Sequence, residues 1–301
     1  MNKLLFINKK INFFNKTIEI DGDKSLSIRW VLLASQSNGK SRAYNLLMSE
    51  DVMSAIESIK KLGIKVKIYK DYCEVYGNGI NGFKYKKNLT INARNSGTLG
   101  RLMLGLLVKA PQKIKMIGDK SLSKRDFSRV TVPLRKFGAK FYFVTKDKLP
   151  LSILGSKSVQ GIHYLENRGS AQCKSSVMLA ALNASGTTSI KAKKSRNHSE
   201  LLFKYLKIPI KIKKTKKYDF INIKQPKKIK SFDYQIPGDI SSSAFFIVLT
   251  TLTSNSKLLI KNVNINPSRT GVITILKKMG AKISFRNKKN YRGETVSDIM
   301  I

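Results

Sequence analysis

The sequence repeats one pattern four times, and this repetition constrains the fold more than any other feature. Each copy opens with polar or glycine residues and continues as an apolar helix. The four segments are DKSLSIRWVLLASQS, NSGTLGRLMLGLLVK, GSAQCKSSVMLAALNAS and GDISSSAFFIVLTTLTS. Their first shared serines are Ser25, Ser96, Ser170 and Ser241, separated by 71, 74 and 71 residues. Such regular steps predict tandem copies of one supersecondary unit.

The same succession follows each apolar helix: a short strand, a second helix with a polar start, and a strand pair. The second helices are predicted in SEDVMSAIESIKKLG, SKRDFSRVTVPLRKFG, SRNHSELLFKYLK and NPSRTGVITILKKMG. No single copy can bury both of its helices. We therefore expect the copies to pack together, with helices inside and sheets outside.

Composition narrows the class of protein. A chain of 301 residues with 42% apolar residues can bury a sizeable core and suggests two domains. The two cysteines, Cys73 and Cys173, are far apart, and there are only two histidines, so we expect core thiols, no disulfide framework and no metal site. The first residues lack a secretory apolar region and no apolar run is long enough to span a bilayer, which favours a cytoplasmic protein without a membrane partner.

The net charge of +40 raises the question of a nucleic-acid partner. Only 12 of the 58 basic residues are arginines, and the lysines are scattered over the whole chain. A nucleic-acid groove favours arginines and aromatic residues in one stripe. We therefore expect no nucleic-acid partner, but a surface that attracts small anions.

The polar helix starts point to the chemistry. Asn and Ser at these positions can simply cap free backbone N–H groups. A helix N-terminus also attracts anions, and packed repeats could bring several such ends together. Capping alone does not explain why basic or amide residues cluster at these starts: Lys24 and Arg29, Asn95 and Arg101, Gln172 and Lys174. We interpret these ends as the walls of a site for phosphate and carboxylate groups.

Seven motifs resemble, in order and spacing, those of the EPSP synthase family, the 3-phosphoshikimate 1-carboxyvinyltransferases. They are DKSLSIR, NSGTLGR, GDKSLSKRDFSRV, SAQCKS, SRNHSE, IPGDISSSAFF and NPSRTG. The resemblance implies an α/β fold, an inside-out α/β barrel built from βαβαββ units, with three units in each of two domains. Four of the expected six units are present. Residues 22–236 would form a complete three-unit domain that binds shikimate-3-phosphate, and residues 1–21 with 237–301 an incomplete second domain, so the chain is expected to be truncated after its fourth unit.

The implied reaction belongs to the shikimate pathway, which leads to chorismate and the aromatic amino acids. It transfers the enolpyruvyl group of phosphoenolpyruvate to the 5-hydroxyl of shikimate-3-phosphate and releases phosphate. The resemblance implies no metal and no organic cofactor, and a monomer is expected.

The resemblance also assigns roles to individual residues. Lys24 would contact both substrates and act as the catalytic proton-transfer group. Gly97 would let phosphoenolpyruvate, or the herbicide glyphosate, approach closely because it lacks a Cβ. The shikimate-3-phosphate ligands would be Lys24, Ser25, Arg29, Ser170, Ala171, Gln172 and Ser195. The phosphoenolpyruvate ligands would be Lys24, Gly97, Arg125 and Gln172.

Departures from the family pattern keep other functions open. Asp126 follows Arg125 where proline is common, and an acid there is expected to weaken the hold of Arg125 on an anion. The family's catalytic aspartate and glutamate fall in the two absent units, so a truncated or degenerate relative that only binds the sugar phosphate is one alternative. A UDP-N-acetylglucosamine enolpyruvyl transferase is another. A nucleotide kinase suggested by NGKS (38–41) is disfavoured, because Ala34 stands where a P-loop needs glycine.

Overall fold

The structure is a computed structural model that describes residues 11–301. The chain divides into two compact units: residues 22–236, and residues 237–301 together with the segment that ends at Asp21. Within the described range, each of the four sheets has four strands. Both units therefore combine helices with mixed sheets.

The described elements follow the predicted succession four times, with a short strand in front of each copy. The first copy comprises β1 (Asn15–Glu19), α1 (Lys24–Ser35), β2 (Asn38–Tyr44), α2 (Glu50–Lys61), β3 (Lys65–Ile68) and β4 (Tyr72–Asn78). The second comprises β5 (Thr90–Asn92), α3 (Gly97–Leu106), β6 (Ile114–Ile117), α4 (Lys120–Ser123), α5 (Ser128–Lys136), β7 (Lys140–Phe143) and β8 (Leu151–Leu154). The third comprises β9 (His163–Glu166), α6 (Ala171–Ala180), β10 (Thr187–Lys193), α7 (His198–Tyr205), β11 (Ile210–Lys214) and β12 (Tyr218–Lys224). The fourth comprises β13 (Asp233–Gln235), α8 (Ile240–Leu252), β14 (Lys257–Asn264), α9 (Gly271–Lys278), β15 (Ser284–Tyr291) and β16 (Glu294–Met300).

The leading strands of the first and fourth copies are exchanged. In the second and third copies the leading strand pairs in parallel with the next strand of its own copy, β5 with β6 and β9 with β10. By contrast, β1 pairs with β14, with Asn15 opposite Lys257, and β13 pairs with β2, with Asp233 opposite Arg42. The chain therefore crosses between the two units twice, at residues 21–22 and 236–237.

The first helices of the three copies within residues 22–236 form the core of that unit. Every residue of α1 from Leu26 to Ser35 is buried, and α3 and α6 are buried almost throughout. The second helices are buried on one face only; α2, for example, buries Val52, Ala55 and Ile59 and exposes lysines. Strand β10 alternates between buried and exposed side chains, as expected for a sheet with one face in the core. Helices thus lie inside and sheets outside in this unit.

A polar turn precedes the second helix of the second copy. The predicted segment begins at Ser123 with this polar start, and α5 itself begins at Ser128. The chain turns here because the buried Phe127 donates its backbone N–H to the Asp147 carbonyl at 2.8 Å, and the Asp126 side chain accepts the Ser128 N–H at 2.7 Å. The turn places Arg125 outside both flanking helices.

The two cysteines lie in the core, as predicted. Burial raises the pKa of the Cys73 thiol to about 12 and also raises that of Cys173. Both groups are therefore protonated, weak nucleophiles at neutral pH.

Candidate active site

The helices α3 and α6 begin side by side and run in the same direction. Gln172, the second residue of α6, donates from Nε2 to Oγ1 of Thr98, the second residue of α3, at 3.0 Å. One turn further along, the Ser176 hydroxyl donates to the Arg101 carbonyl at 2.8 Å. The two N-terminal turns therefore lie at the same level. Each is capped by a serine, since Ser96 accepts from the Leu99 N–H and Ser170 from the Cys173 N–H.

Two guanidinium groups lie over the start of α3. A Cβ added to Gly97 would lie 3.0 Å from Nη1 of Arg101 and 3.0 Å from Nη1 of Arg125. A side chain at this position would therefore displace both arginines. Because Gly97 has no Cβ, two guanidinium groups can lie beside the N-terminus of α3. Such an arrangement favours the binding of a phosphate or a carboxylate.

Arg101 links this region to α6. Its Nη1 donates to Oε1 of Gln172 at 2.6 Å, and its guanidinium lies 5.4 Å from the centre of the Phe127 ring. Burial lowers the pKa of Arg101, and the positive charges of Arg125 and Arg129 lower it further. An arginine remains charged despite such a shift, so positive charge is in excess here.

Arg125 is exposed and is held by one amide. Its Nη2 donates to Oδ1 of Asn95 at 3.3 Å, and Asn95 in turn donates to Oδ2 of Asp119 at 2.5 Å. The backbone N–H of Leu122 and the Asn95 amide lower the pKa of Asp119, so this carboxylate is charged at neutral pH. The Asn95 side chain therefore links the guanidinium of Arg125 to the carboxylate of Asp119.

Asp126 was expected to weaken the anion binding of Arg125. Within the described residues, its carboxylate accepts from the Ser128 N–H and lies 3.7 Å from Nε of Arg129. Although partial burial raises it, the bonds from Ser128 keep the pKa of Asp126 below its usual value. Among the described contacts, Asp126 therefore forms its ion pair with Arg129 and none with Arg125.

Arg29 forms a second, more deeply buried cluster. Its side chain is 5% exposed and donates to Ser199 Oγ at 2.8 Å, to Ser175 Oγ at 3.0 Å and to the Ser25 carbonyl at 2.9 Å. Ser25 and Arg29 thus lie on one face of α1, four residues apart, as predicted. Sequence reasoning missed Ser175 and Ser199; hydroxyls inside otherwise buried helices were the available signal.

The remaining predicted residues lie at the edges of these clusters. Lys24 begins α1, is about half exposed, and pairs with Asp51 at 3.1 Å. Ala171 is the first residue of α6. Ser195 Oγ is buried and has no hydrogen-bond partner among the residues that the structure describes.

The described contacts therefore gather the predicted residues into two groups. Gly97, Arg125 and Gln172 surround Arg101, while Ser25 and Arg29 join Ser175 and Ser199. The helix α6 contributes to both groups, since it carries Gln172 and Ser175.

Comparison with known proteins identifies the family. A family model described as EPSP synthase (3-phosphoshikimate 1-carboxyvinyltransferase) matches residues 9–299. The chain belongs to the EPSP synthase family. It is 39% identical over 290 residues to a 3-phosphoshikimate 1-carboxyvinyltransferase of Petrotoga mobilis, covering 95% of this chain and 66% of the relative. A relative of the same name from Ruthia magnifica is 39% identical over 298 residues, covering 98% of this chain and 67% of the relative.

Solved structures of the EPSP synthase family share the fold. An EPSP synthase from Acinetobacter baumannii superposes with a TM-score of 0.87 at 33% identity, covering 96% of this chain and 64% of that one. The predicted family and the predicted fold class are confirmed. This chain spans about two thirds of the length of the relatives it matches. Within residues 11–301, no helix has the length and apolar character needed to cross a membrane.

Proposed function

We propose that this chain serves the transfer of the enolpyruvyl group from phosphoenolpyruvate to the 5-hydroxyl of shikimate-3-phosphate, with residues 22–236 forming the shikimate-3-phosphate domain. One observation carries the proposal: the N-terminal turns of α3 and α6 lie level beside Arg101 and Arg125, with Arg29 anchored on the same helix α6. Backbone N–H groups and guanidinium groups together suit phosphate and carboxylate.

The proposed sugar-phosphate subsite contains residues from α1, α6 and the segment before α7. Arg29 would bind through a guanidinium whose plane is already fixed by two serines. Preorganisation of this kind lowers the entropy lost on binding. The Ser195 hydroxyl, buried without a described partner, would gain one from the ligand. The full proposed set is Lys24, Ser25, Arg29, Ser170, Ala171, Gln172 and Ser195, with Ala171 serving through its backbone.

The proposed phosphoenolpyruvate subsite lies over Gly97. Arg125 would bind one anionic group of phosphoenolpyruvate, and the bare Cα of Gly97 would allow the molecule to approach the helix end. Gln172 and Lys24 would contact both substrates. The positive charges of Arg125 and Arg129 repel that of Arg101, and an anion would relieve this repulsion.

In the proposed reaction, the methylene carbon of phosphoenolpyruvate takes up a proton and the 5-hydroxyl oxygen bonds to the neighbouring carbon as it loses its own proton. The resulting tetrahedral intermediate then loses phosphate and returns a proton from the methyl group. Lys24 would move one of these protons, and the helix ends and arginines would stabilise the crowded negative charge. A monomer in the cytoplasm remains the prediction for its state and location.

Calorimetric titration with shikimate-3-phosphate tests the proposal. We expect binding to the purified chain, weakened about 10- to 100-fold in R29A because a charge-assisted contact is lost. Arg135 on α5 is an exposed arginine that lies over the rings of Phe141 and Phe143, so R135A is the matched control and should bind as the parent does. Equal heats for R29A and R135A would contradict the assignment.

Activity separates the two alternatives from the proposal. Phosphate release should require both shikimate-3-phosphate and phosphoenolpyruvate. Binding without phosphate release would identify a truncated or degenerate relative that only binds the sugar phosphate. Release that depends on UDP-N-acetylglucosamine instead would identify the other enolpyruvyl transferase.

A further inference from the structure

We propose that Lys174 and Glu200 are positioning residues for Arg29, a role that rests on the proposed function of Arg29 as a substrate ligand. Two adjacent residues of α6 face two adjacent residues of α7. Lys174 Nζ lies 2.6 Å from Oε1 of Glu200, and the next residue of α6, Ser175, hydrogen-bonds at 2.7 Å to Ser199. The two helices are therefore joined by an ion pair and a hydroxyl pair side by side.

The ion pair between Lys174 and Glu200 is buried. The side chain of Lys174 is 0% exposed and that of Glu200 is 4% exposed. The geometry is not that of a well-directed hydrogen bond, and no other described residue bonds to either charged group. Removing two charges from water costs free energy that their mutual attraction often fails to recover. Stability alone therefore does not explain this pair.

A buried ion pair can instead fix the register of two elements, because any other register would leave each charge unpaired. Ser175 follows Lys174 on α6, and Ser199 precedes Glu200 on α7. A shift in register would therefore separate the two serines as well. Both serine oxygens accept from Arg29, Ser199 from Nε and Ser175 from Nη2. The ion pair thus determines where the two acceptors stand, and the acceptors determine the plane of the guanidinium.

Two variants separate positioning from support of the fold. K174M leaves the Glu200 carboxylate buried and unpaired, and should lower the midpoint of thermal unfolding by about 10 °C. The double variant K174M/E200L removes both charges and should return the midpoint to within about 3 °C of the parent, because apolar side chains of similar volume replace a buried pair without loss. Lys40 is about half exposed and lies 3.6 Å from Glu74, which Arg42 and Tyr76 also bond, so K40M leaves no acid without a partner and is the matched control.

The decisive readouts concern Arg29 and its proposed ligand. In the double variant, the Arg29 Nε–H should exchange with solvent on the order of 100-fold faster, as measured by nuclear magnetic resonance. The dissociation constant for shikimate-3-phosphate should rise about tenfold although stability is restored. In K40M both values should equal those of the parent. A double variant with parental exchange and parental affinity would overturn the inference and show that the pair only supports the fold.

The exchange measurement keeps the inference separate from the proposed function. If the parent fails to bind shikimate-3-phosphate, the proposed function fails, but faster exchange in the double variant still supports positioning. If the double variant does not fold, E200Q changes the charge without changing the shape and carries the same test. Unaltered Arg29 exchange in folded E200Q would overturn the inference.

Discussion

Helices α3 and α8 open with the same sequence pattern but are packed differently. All but two residues of α3 are buried, whereas α8 buries only Ile240, Ser243, Ile247 and Thr250. On α8, Phe245 is 80% exposed and Leu252 is 79% exposed. The unit that contains α3 has three copies of the repeat, whereas the described residues of the unit that contains α8 form one sheet and two helices, α8 and α9. The first helix of each copy is therefore apolar on all sides, and it is buried only where neighbouring copies of the repeat pack around it.

The N-terminal ends of the two helices differ as well. At α8, Asp239 caps the helix and pairs with Arg269 at 3.0 Å, and the same arginine donates to Ser241 at 2.7 Å. At α3 the cap is the neutral Ser96, and Arg101 and Arg125 lie over Gly97. An acid therefore already neutralises the arginine of α8, while the end of α3 keeps its positive charge for a ligand.

The largest expected effect comes from truncating a leucine in each helix. Leu104 of α3 is fully buried, so L104A should lower the free energy of unfolding by about 3 kcal/mol through lost transfer energy and the cavity left behind. Leu252 of α8 is the matched control, and L252A should change the free energy of unfolding by less than about 0.5 kcal/mol. Denaturant unfolding of both variants gives the values. Equal losses would mean that the exposed face of α8 is covered in solution.

The next effect concerns the close approach of α3 to α6. A Cβ on Gly105 would lie 2.2 Å from the carbonyl oxygen of Ser176, so G105A should force the helices apart and cost about 2 to 3 kcal/mol. For Gly271, the first residue of α9, no atom of the described residues lies within 4 Å of an added Cβ. G271A should therefore be neutral or stabilise by up to about 1 kcal/mol. A tolerated G105A, measured by denaturant unfolding, would contradict the packing described for α3 and α6.

Much of this arrangement could be predicted from the sequence. The spacing of Ser25, Ser96, Ser170 and Ser241 located the four first helices, because a polar start followed by an apolar run has one simple interpretation. The exchange of β1 and β13 could not be derived from residue patterns, since strand pairing depends on which distant segments meet. The motifs predicted one site for Gly97, Arg125 and Gln172, and the structure places all three beside Arg101. The contacts of Arg29 with Ser175 and Ser199 could not be predicted, because they depend on the packing of three helices. The lysine inside α6 was a signal, because buried charges need partners.

A smaller effect should distinguish the arginines at the two helix ends. Arg269 is almost fully buried against Asp239, so R269A should cost about 2 kcal/mol because it removes the ion pair of a largely buried acid. Arg125 is exposed and held at 3.3 Å by one amide, so R125A should cost less than about 0.5 kcal/mol. Thermal unfolding measures both losses. A larger loss in R125A than in R269A would refute the assignment of a structural arginine to α8 and a ligand-binding arginine to α3.

The smallest effect is a response to acid confined to the unit of residues 22–236. Hydrogen bonds from Tyr76 and Arg42 lower the pKa of Glu74 to about 2. Because the folded pKa lies below the unfolded value of about 4.3, this group stabilises the unit above that pH, and the contribution is lost as the pH falls from about 4.3 to about 2. E74Q should flatten the pH dependence of unfolding in that range for amides of β2 and β4, and leave α8 unchanged. Hydrogen exchange at pH 5 and pH 3 would show this, and an equal change in α8 would contradict it.

The most direct test of the account is an amide-resolved titration of the chain with shikimate-3-phosphate by nuclear magnetic resonance. The account predicts saturable shifts in the first turns of α1, α3 and α6, including Ser25, Gly97 and Gln172, and none in the first turn of α8. Shifts that are confined to the exposed lysine-rich strands, or that are equal at α3 and α8, would contradict the claim that the neutral caps of α3 and α6, together with Arg101 and Arg125 beside them, make these helix ends an anion site.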